Sequence, residues 1–250
     1  MRGAGGVRRL PAERAQVRGT GTALRAAGHR RCRRPEPAWS GVTDRSFPGA
    51  PSAAPEVEHF AEALVPTPHG EFVAHVYLTV DGEQHIACVM GDVEDPPPPL
   101  VRVHSECLTG DVLRSLRCDC GAQLDHALAA IAAAGRGVLL YMRGHEGRGI
   151  GIGHKIRAYA LQEHGLDTVE ANAAQGLPVD GRVYDAAAAI LADLGLRGVR
   201  LLTNNPAKCE GLTNCGIEVV ERVPIEIDAG PENLRYLQTK RFKLGHTLSD

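Results

Sequence analysis

Apolar and polar positions fall into a readable pattern only from about Phe60 onward. Residues 72–80 and 85–93 alternate on either side of Asp81-Gly82, which predicts two strands joined as a hairpin. Prolines at 96–99 break that pattern, and residues 100–104 read as a further strand. Leu124, Leu128 and Ile131 sit at helical spacing in a segment, 123–134, that stops at Gly135, a residue suited to a left-handed cap. The run 137–142 is apolar and short enough to be a buried strand. A glycine-rich loop then leads into a helix over about 154–164. Further on, an Ala-rich helix over 182–194 precedes a strand at 199–202. Asn205-Pro206 opens another helix, which ends near Gly216 ahead of a strand at 218–223. Strands alternating with helices after an antiparallel hairpin start predict an α/β (α+β) fold, a mixed β-sheet with flanking helices.

Residues 1–56 show neither period and are rich in Arg, Ala, Gly and Pro. They read as a disordered tail, a transit peptide or an over-extended start. The folded domain is expected over 57–228, with 229–250 as a partly flexible C-terminal segment of the same domain. Over residues 1–46, eleven arginines face three acids (Glu13, Glu36 and Asp44), a balance of +8 that leaves −10 for the remainder of a chain of net charge −2. Such a body is no nucleic-acid binder. No apolar run reaches the roughly 18 residues a membrane span needs. Seven cysteines, Cys32, Cys88, Cys107, Cys118, Cys120, Cys209 and Cys215, make an odd number with no signal peptide ahead of them. That favours a reducing, cytoplasmic setting and a metal or catalytic use over a disulfide framework.

Three of those cysteines crowd together as Cys107, Cys118 and Cys120. Three thiolates suit zinc, either with water as fourth ligand in a hydrolytic site or with His104 or His126 closing a structural one; unmetallated thiols are the third reading. Cys88 reads as a strand-interior residue, and Cys209 and Cys215 as buried small residues. The loop from Arg143 to Gly153 alternates glycines with Arg143 and Arg148 between a strand and a helix. It lacks both the dinucleotide and the P-loop spacing, and fits either a phosphate cradle or a structural turn. Asp180-Gly181-Arg182 reads as a salt-bridged loop tie or as paired reactive groups. Thr203-Asn204-Asn205-Pro206-Ala207-Lys208 lies where open α/β sheets bind ligands, though both asparagines also suit capping. Tyr159 alone would be a half-buried helix tyrosine.

In combination these segments say more. Arg102-Val103-His104-Ser105-Glu106-Cys107-Leu108-Thr109-Gly110-Asp111, Arg117-Cys118-Asp119-Cys120-Gly121, Glu146-Gly147-Arg148, Asp167-Thr168-Val169-Glu170-Ala171-Asn172 and Leu202-Thr203-Asn204-Asn205-Pro206 occur in one order. Together they closely resemble the GTP cyclohydrolase II family, which opens the guanine ring of GTP at the first committed step of riboflavin synthesis. The resemblance runs from about residue 63 to 248, through Thr239-Lys240 and Gly245-His246. It implies Cys107, Cys118 and Cys120 as ligands of one Zn²⁺, and GTP contacts from Arg102, Val103, His104, Ser105, Glu106, Gln123, Glu146, Gly147, Arg148, Thr168, Thr203 and Lys208. It further implies Asp180 as general base, Arg182 as the residue acting on the α-phosphate, Tyr159 as an active-site tyrosine, Mg²⁺ with the triphosphate and a homodimer. The expected products are a diaminopyrimidine ribosyl phosphate, formate and pyrophosphate. A dihydroxybutanone phosphate synthase domain, carried by some relatives, is not expected ahead of residue 57. The competing expectations are a paralogue that releases the formylated pyrimidine, and a non-catalytic zinc-stabilised nucleotide-binding module.

Overall fold

In the computed structural model, residues 57–227, with positions 230 and 233, are described. The expected tail over 1–56 and most of the expected C-terminal segment over 229–250 lie outside them. Twelve regular elements follow in chain order: β1 (Val57–Thr67), β2 (Gly70–Thr79), β3 (Gln84–Met90), β4 (Leu100–Ser105), α1 (Cys120–Ala134), β5 (Gly137–Met142), α2 (Gly151–Glu163), α3 (Thr168–Ala173), α4 (Asp185–Asp193), β6 (Gly198–Leu202), α5 (Pro206–Asn214) and β7 (Glu218–Val223). A single π-helical turn, Leu108–Val112, lies between β4 and α1.

All seven strands share one sheet in the order β1-β2-β3-β5-β4-β6-β7. The first half is antiparallel, from β1 through β2 and β3 to β5. From β5 through β4 and β6 to β7 every pairing is parallel. The expected mixed sheet with a hairpin start is therefore the observed one. Gly82, at φ +83, supplies the left-handed residue its turn needs. α1 ends at Gly135 in the left-handed conformation, as its spacing predicts.

The central strands are buried on both faces, which explains their near-continuous apolar reading. Along β5, Val138, Leu140 and Met142 join one core with Ile190 and Leu191 of α4 and Leu212 of α5. Leu139 points the other way, into a core with Phe72, Leu202 and Ala127 and Ile131 of α1. The sheet is thus covered by α1 on one side and by α4 and α5 on the other.

Three elements depart from the sequence reading. β1 has no alternation to betray it: nearly all of its residues are exposed, and it is held by its backbone ladder to β2. α3 is too short to show a period, but its capping box was present in the letters, with Asp167 and Glu170 each accepting from the other's end of the turn. The helix expected from Arg182 begins only at Asp185, because Arg182 is drawn back toward Asp180. No helix among the described residues is long and apolar enough to cross a membrane.

Ile131 is fully buried between α1 and the sheet. Ile131→Ala is expected to cost about 2–5 kcal/mol in urea denaturation. His126→Ala, on the exposed side of the same helix, is expected to stay within about 0.5 kcal/mol.

Candidate active site

The chemistry-bearing segments leave the sheet together, because β4, β5 and β6 run parallel and end on the same side. β4 delivers Glu106 and Cys107, β5 delivers the glycine loop, and β6 delivers Thr203 to Asn205. This is the edge at which open α/β sheets receive ligands. The cleft there is lined by Arg102, Cys107, Arg148, Tyr159, Arg182 and Lys208 among others, with about 1070 Å³ of free space counting its open mouth.

The π-turn folds Cys107 back over Cys118 and Cys120, and the three sulfurs lie within 4.8 Å of one another. Cys107 Sγ and Cys118 Sγ are 3.7 Å apart, against the edge of about 3.8 Å that a tetrahedral Zn–S bond of 2.3 Å generates. Hydrogen bonds from Cys118 and Cys120, and then the Lys155 ammonium at 3.0 Å, hold the Cys107 thiol far below its ordinary value. The negative charge so created pushes Cys118 up. Three sulfurs sharing protons around one stabilised thiolate are a donor set that fits a soft dication. Neither histidine considered as a fourth ligand joins them. His104 turns its Nε2 to Asp111 at 3.1 Å, and His126 is exposed on α1. The metal fit is therefore that of three thiolates with an open position.

Gly110 was legible only as part of a motif. A Cβ there would come within 2.8 Å of Cys118 Sγ and 3.0 Å of Cys107 Sγ, so the turn closes on the thiols only with glycine. Asp111 also received no role from the sequence. Its carboxylate accepts from His104, from Tyr141 Oη at 2.9 Å and from the Cys107 amide at 3.0 Å, which sets the start of the turn.

Glu146 fastens the glycine loop to this turn. It accepts from the Leu108 amide and from Lys155 Nζ, both at 2.6 Å, and from the Gly147 amide at 3.1 Å. Burial would lower Lys155, but the Cys107 thiolate and Glu146 more than offset it and raise the ammonium well above its ordinary value. Gly147, Gly149 and Gly151 all take positive φ, as does Arg148 at +69°. Arg148 Nη1 is buried and has no hydrogen-bond partner among the described residues. The loop also approaches the segment before α4, where the Gly181 amide donates to the Arg148 carbonyl at 3.0 Å. That contact sets Asp180 and Arg182 beside the glycine loop.

Arg182 donates to Asp180 through Nε at 2.9 Å and Nη2 at 2.5 Å, and reaches Ser105 Oγ through Nη1 at 3.3 Å. The pair is a salt-bridged loop tie in bidentate form, with Asp180 on the exposed side. Burial raises the Asp180 carboxyl, but Arg182, joined by Arg148, outweighs it and holds the group below the carboxylate range. Tyr159 Oη stands 3.4 Å from Thr109 Oγ1, itself 3.7 Å from Cys107 Sγ. Arg117 lies over the tyrosine ring at 4.4 Å. Burial raises the Tyr159 hydroxyl.

The other expected contacts divide in two. Arg102 donates to the Leu202 carbonyl at 2.9 Å and to Gln123 Oε1 at 2.6 Å, and leaves its Nε unpartnered. Together with His104, Ser105, Glu106, Gly147, Thr168, Thr203 and Lys208 it borders the cleft. Val103 instead sends its side chain into the core, while its carbonyl accepts from Lys208 Nζ at 2.6 Å. Asn205 caps α5 and Asn204 is tied to Ile225, so the capping reading holds for the first and a loop tie describes the second. Cys215 is exposed, not buried, because it stands at the end of α5, and Cys209 is half-buried.

The family model described as GTP cyclohydrolase II matches residues 58–224. The chain belongs to the GTP cyclohydrolase II family. Its relatives include the riboflavin biosynthesis protein RibBA of Mycobacterium tuberculosis strain H37Rv, 58% identical over 198 residues, or 77% of this chain and 47% of that protein. RibBA of Mycobacteroides abscessus is 56% identical over 199 residues, covering 78% of this chain and 48% of the relative. The chain spans about half the length of the curated relatives it matches. Among solved structures, RibBX, a two-domain 3,4-dihydroxy-2-butanone 4-phosphate synthase from A. baumannii, aligns over 68% of this chain and 40% of its own. The two share 21% identity, with a TM-score of 0.41.

Two outcomes test this geometry. Gly110→Ala is expected to weaken zinc binding roughly tenfold or more while far-UV circular dichroism stays unchanged, read by competition with a chromogenic chelator. The second concerns His145. Burial, then Arg182 and Lys208, lower it from 6.5 to about 3, so the folded protein holds it neutral. The unfolded chain binds the extra proton first as pH falls, so this stability is present above 6.5 and lost on the way down toward 3. One unit below the unfolded value the loss is about 1.4 kcal/mol, and His145→Gln is expected to flatten that part of the stability–pH curve.

Proposed function

We propose that this chain hydrolyses GTP to a diaminopyrimidine ribosyl phosphate, formate and pyrophosphate, as a zinc-dependent enzyme of riboflavin biosynthesis. The observation that carries the reading is one cleft holding both a three-cysteine cluster and several cationic side chains. Family membership and the RibBA relatives support it.

Cys107, Cys118 and Cys120 would hold the zinc, which supplies a water made reactive near neutral pH. Lys155 Nζ, 3.0 Å from Cys107 Sγ, is close enough to offset the charge of that thiolate. Tyr159, held beneath Arg117 and near Thr109, is placed to orient a group reacting beside the thiols. The guanine side is served by Arg102 and Gln123, whose mutual hydrogen bond fixes the amide, with His104, Ser105, Glu106, Thr168 and Thr203 along the same wall.

At the phosphate side, Arg148 carries a buried donor with nothing to bond, which a phosphate oxygen would satisfy. Gly147 belongs to the same loop, and Lys208 adds a further ammonium to the cleft wall. Glu146 serves by position: its oxygens hold the loop against the thiol turn. Asp180 holds the planar, charged guanidinium of Arg182 in one orientation, so that it offsets charge as pyrophosphate departs from the α-phosphate. Such a pair favours electrostatic stabilisation over covalent attack by arginine. With its carboxyl held low, Asp180 is a weak base until substrate draws Arg182 away. Mg²⁺ would arrive with the triphosphate, and the expected homodimer and cytoplasmic location belong to the same proposal.

Mass spectrometry of the products from zinc-loaded protein, GTP and Mg²⁺ tests the reading. Formate with the deformylated pyrimidine is expected. A product that keeps its formyl group would overturn the second hydrolysis, and unchanged GTP would overturn the enzymatic reading. Tyr159→Phe is expected to bind nucleotide normally and lose roughly a hundredfold or more in turnover.

A further inference from the structure

A second group of metal-ligating side chains lies outside the cleft, on the β1–β2 ribbon. His59, Glu62 and His75 bring one ligand atom each to within 4.8 Å of the others. The separations are 3.2 Å between His75 Nδ1 and His59 Nε2, 3.1 Å between His75 Nδ1 and Glu62 Oε2, and 3.7 Å between His59 Nε2 and Glu62 Oε2. Tetrahedral coordination with Zn–N and Zn–O bonds of about 2.0–2.2 Å places its ligand atoms about 3.3–3.6 Å apart. The observed edges of 3.1, 3.2 and 3.7 Å straddle that range.

The backbone is shaped to produce it. Residues three apart on a regular strand face opposite sides, so His59 and Glu62 would not meet. The register of β1 against β2 shifts between His59 and Ala61, which returns both side chains to one face. Glu62 then lies directly opposite His75, and His59 opposite Tyr77. Tyr77 supports the group from below, its ring centroid 5.3 Å from that of His59 and its hydroxyl donating to Asp193 of α4 at 2.9 Å.

We propose that His59, Glu62 and His75 form a second metal site, built on the β1–β2 bulge and suited to Zn²⁺ or a transition dication of similar size. Two imidazoles and a carboxylate are borderline ligands that take Zn²⁺, Ni²⁺ or Cu²⁺ and discriminate against Ca²⁺ and Mg²⁺. Water completes the shell on the solvent side. An ion there ties the exposed edge strand β1 to β2 and does no chemistry on substrate. The site is separate from the thiols, so it stands or falls independently of the proposed reaction.

Titration of the full-length chain with Zn²⁺ tests the assignment, using metal analysis after dialysis and calorimetry. A zinc-binding event that His59→Ala and His75→Ala each weaken roughly tenfold or more is expected. Glu62→Gln, which preserves the strand surface, is expected to weaken the same event. In the Co²⁺-substituted protein this event adds no thiolate charge-transfer band, which separates it from the cysteine cluster whether or not that cluster is filled. Zinc is expected to raise the thermal midpoint of the wild type by several degrees more than that of His75→Ala, with GTP turnover equal in the two. Zinc binding that none of the three substitutions alters would overturn the proposal, as would the absence of any event beyond the thiol site.

Discussion

The parallel ladder joining β5, β4 and β6 decides where anything reactive can stand. Three parallel strands must all end on one side of the sheet, so the loops that follow them are brought together without contacts of their own. The apolar side chains along those strands face two helical layers and make the ladder the most buried part of the molecule. The site therefore rests on the rigid centre of the fold, while its residues sit on the loops. Precision comes from a second set of bonds between those loops, chief among them Glu146 to the thiol turn and Gly181 to the glycine loop.

Charge is the second constraint. Three thiols and several cations occupy one cleft, and each group is stable only through its neighbours. Lys155 lies between a thiolate and Glu146, Asp180 and Arg182 are locked together, and Arg148 retains a buried donor with no partner among the described residues. Buried donors without a partner are costly, and Arg102 and Arg148 each carry one in the cleft wall among the described residues. The glycines serve the same end. At Gly110 the absence of a side chain is what lets the backbone close on the sulfurs.

The β1–β2 ribbon shows the same logic at the opposite side of the sheet from β7. A single bulge moves two residues onto one face and makes a ligand triangle where a regular strand would have scattered it. Nothing in the spacing of His59, Glu62 and His75 announces this.

The sequence by itself determined the central elements and which side chains were candidates for chemistry. Continuous apolar runs at 100–104 and 137–142, a helix stopped by Gly135, and three cysteines in 14 residues are local signals, each readable because burial, capping and ligand chemistry leave their mark on neighbouring letters. The family resemblance rested on the order of such segments, and most of the residues it implied line the cleft, though Val103, Glu146 and Asp180 do not. Tertiary structure alone decided the rest. β1 is an exposed edge strand held by backbone hydrogen bonds, which have no sequence pattern. His104 pairs with Asp111 rather than with metal, Val103 faces the core, Cys215 faces solvent, and Glu146 acts as a bolt. Each of those outcomes depends on distances between residues remote in the chain. Spacing along the sequence constrains such distances only after the sheet has formed.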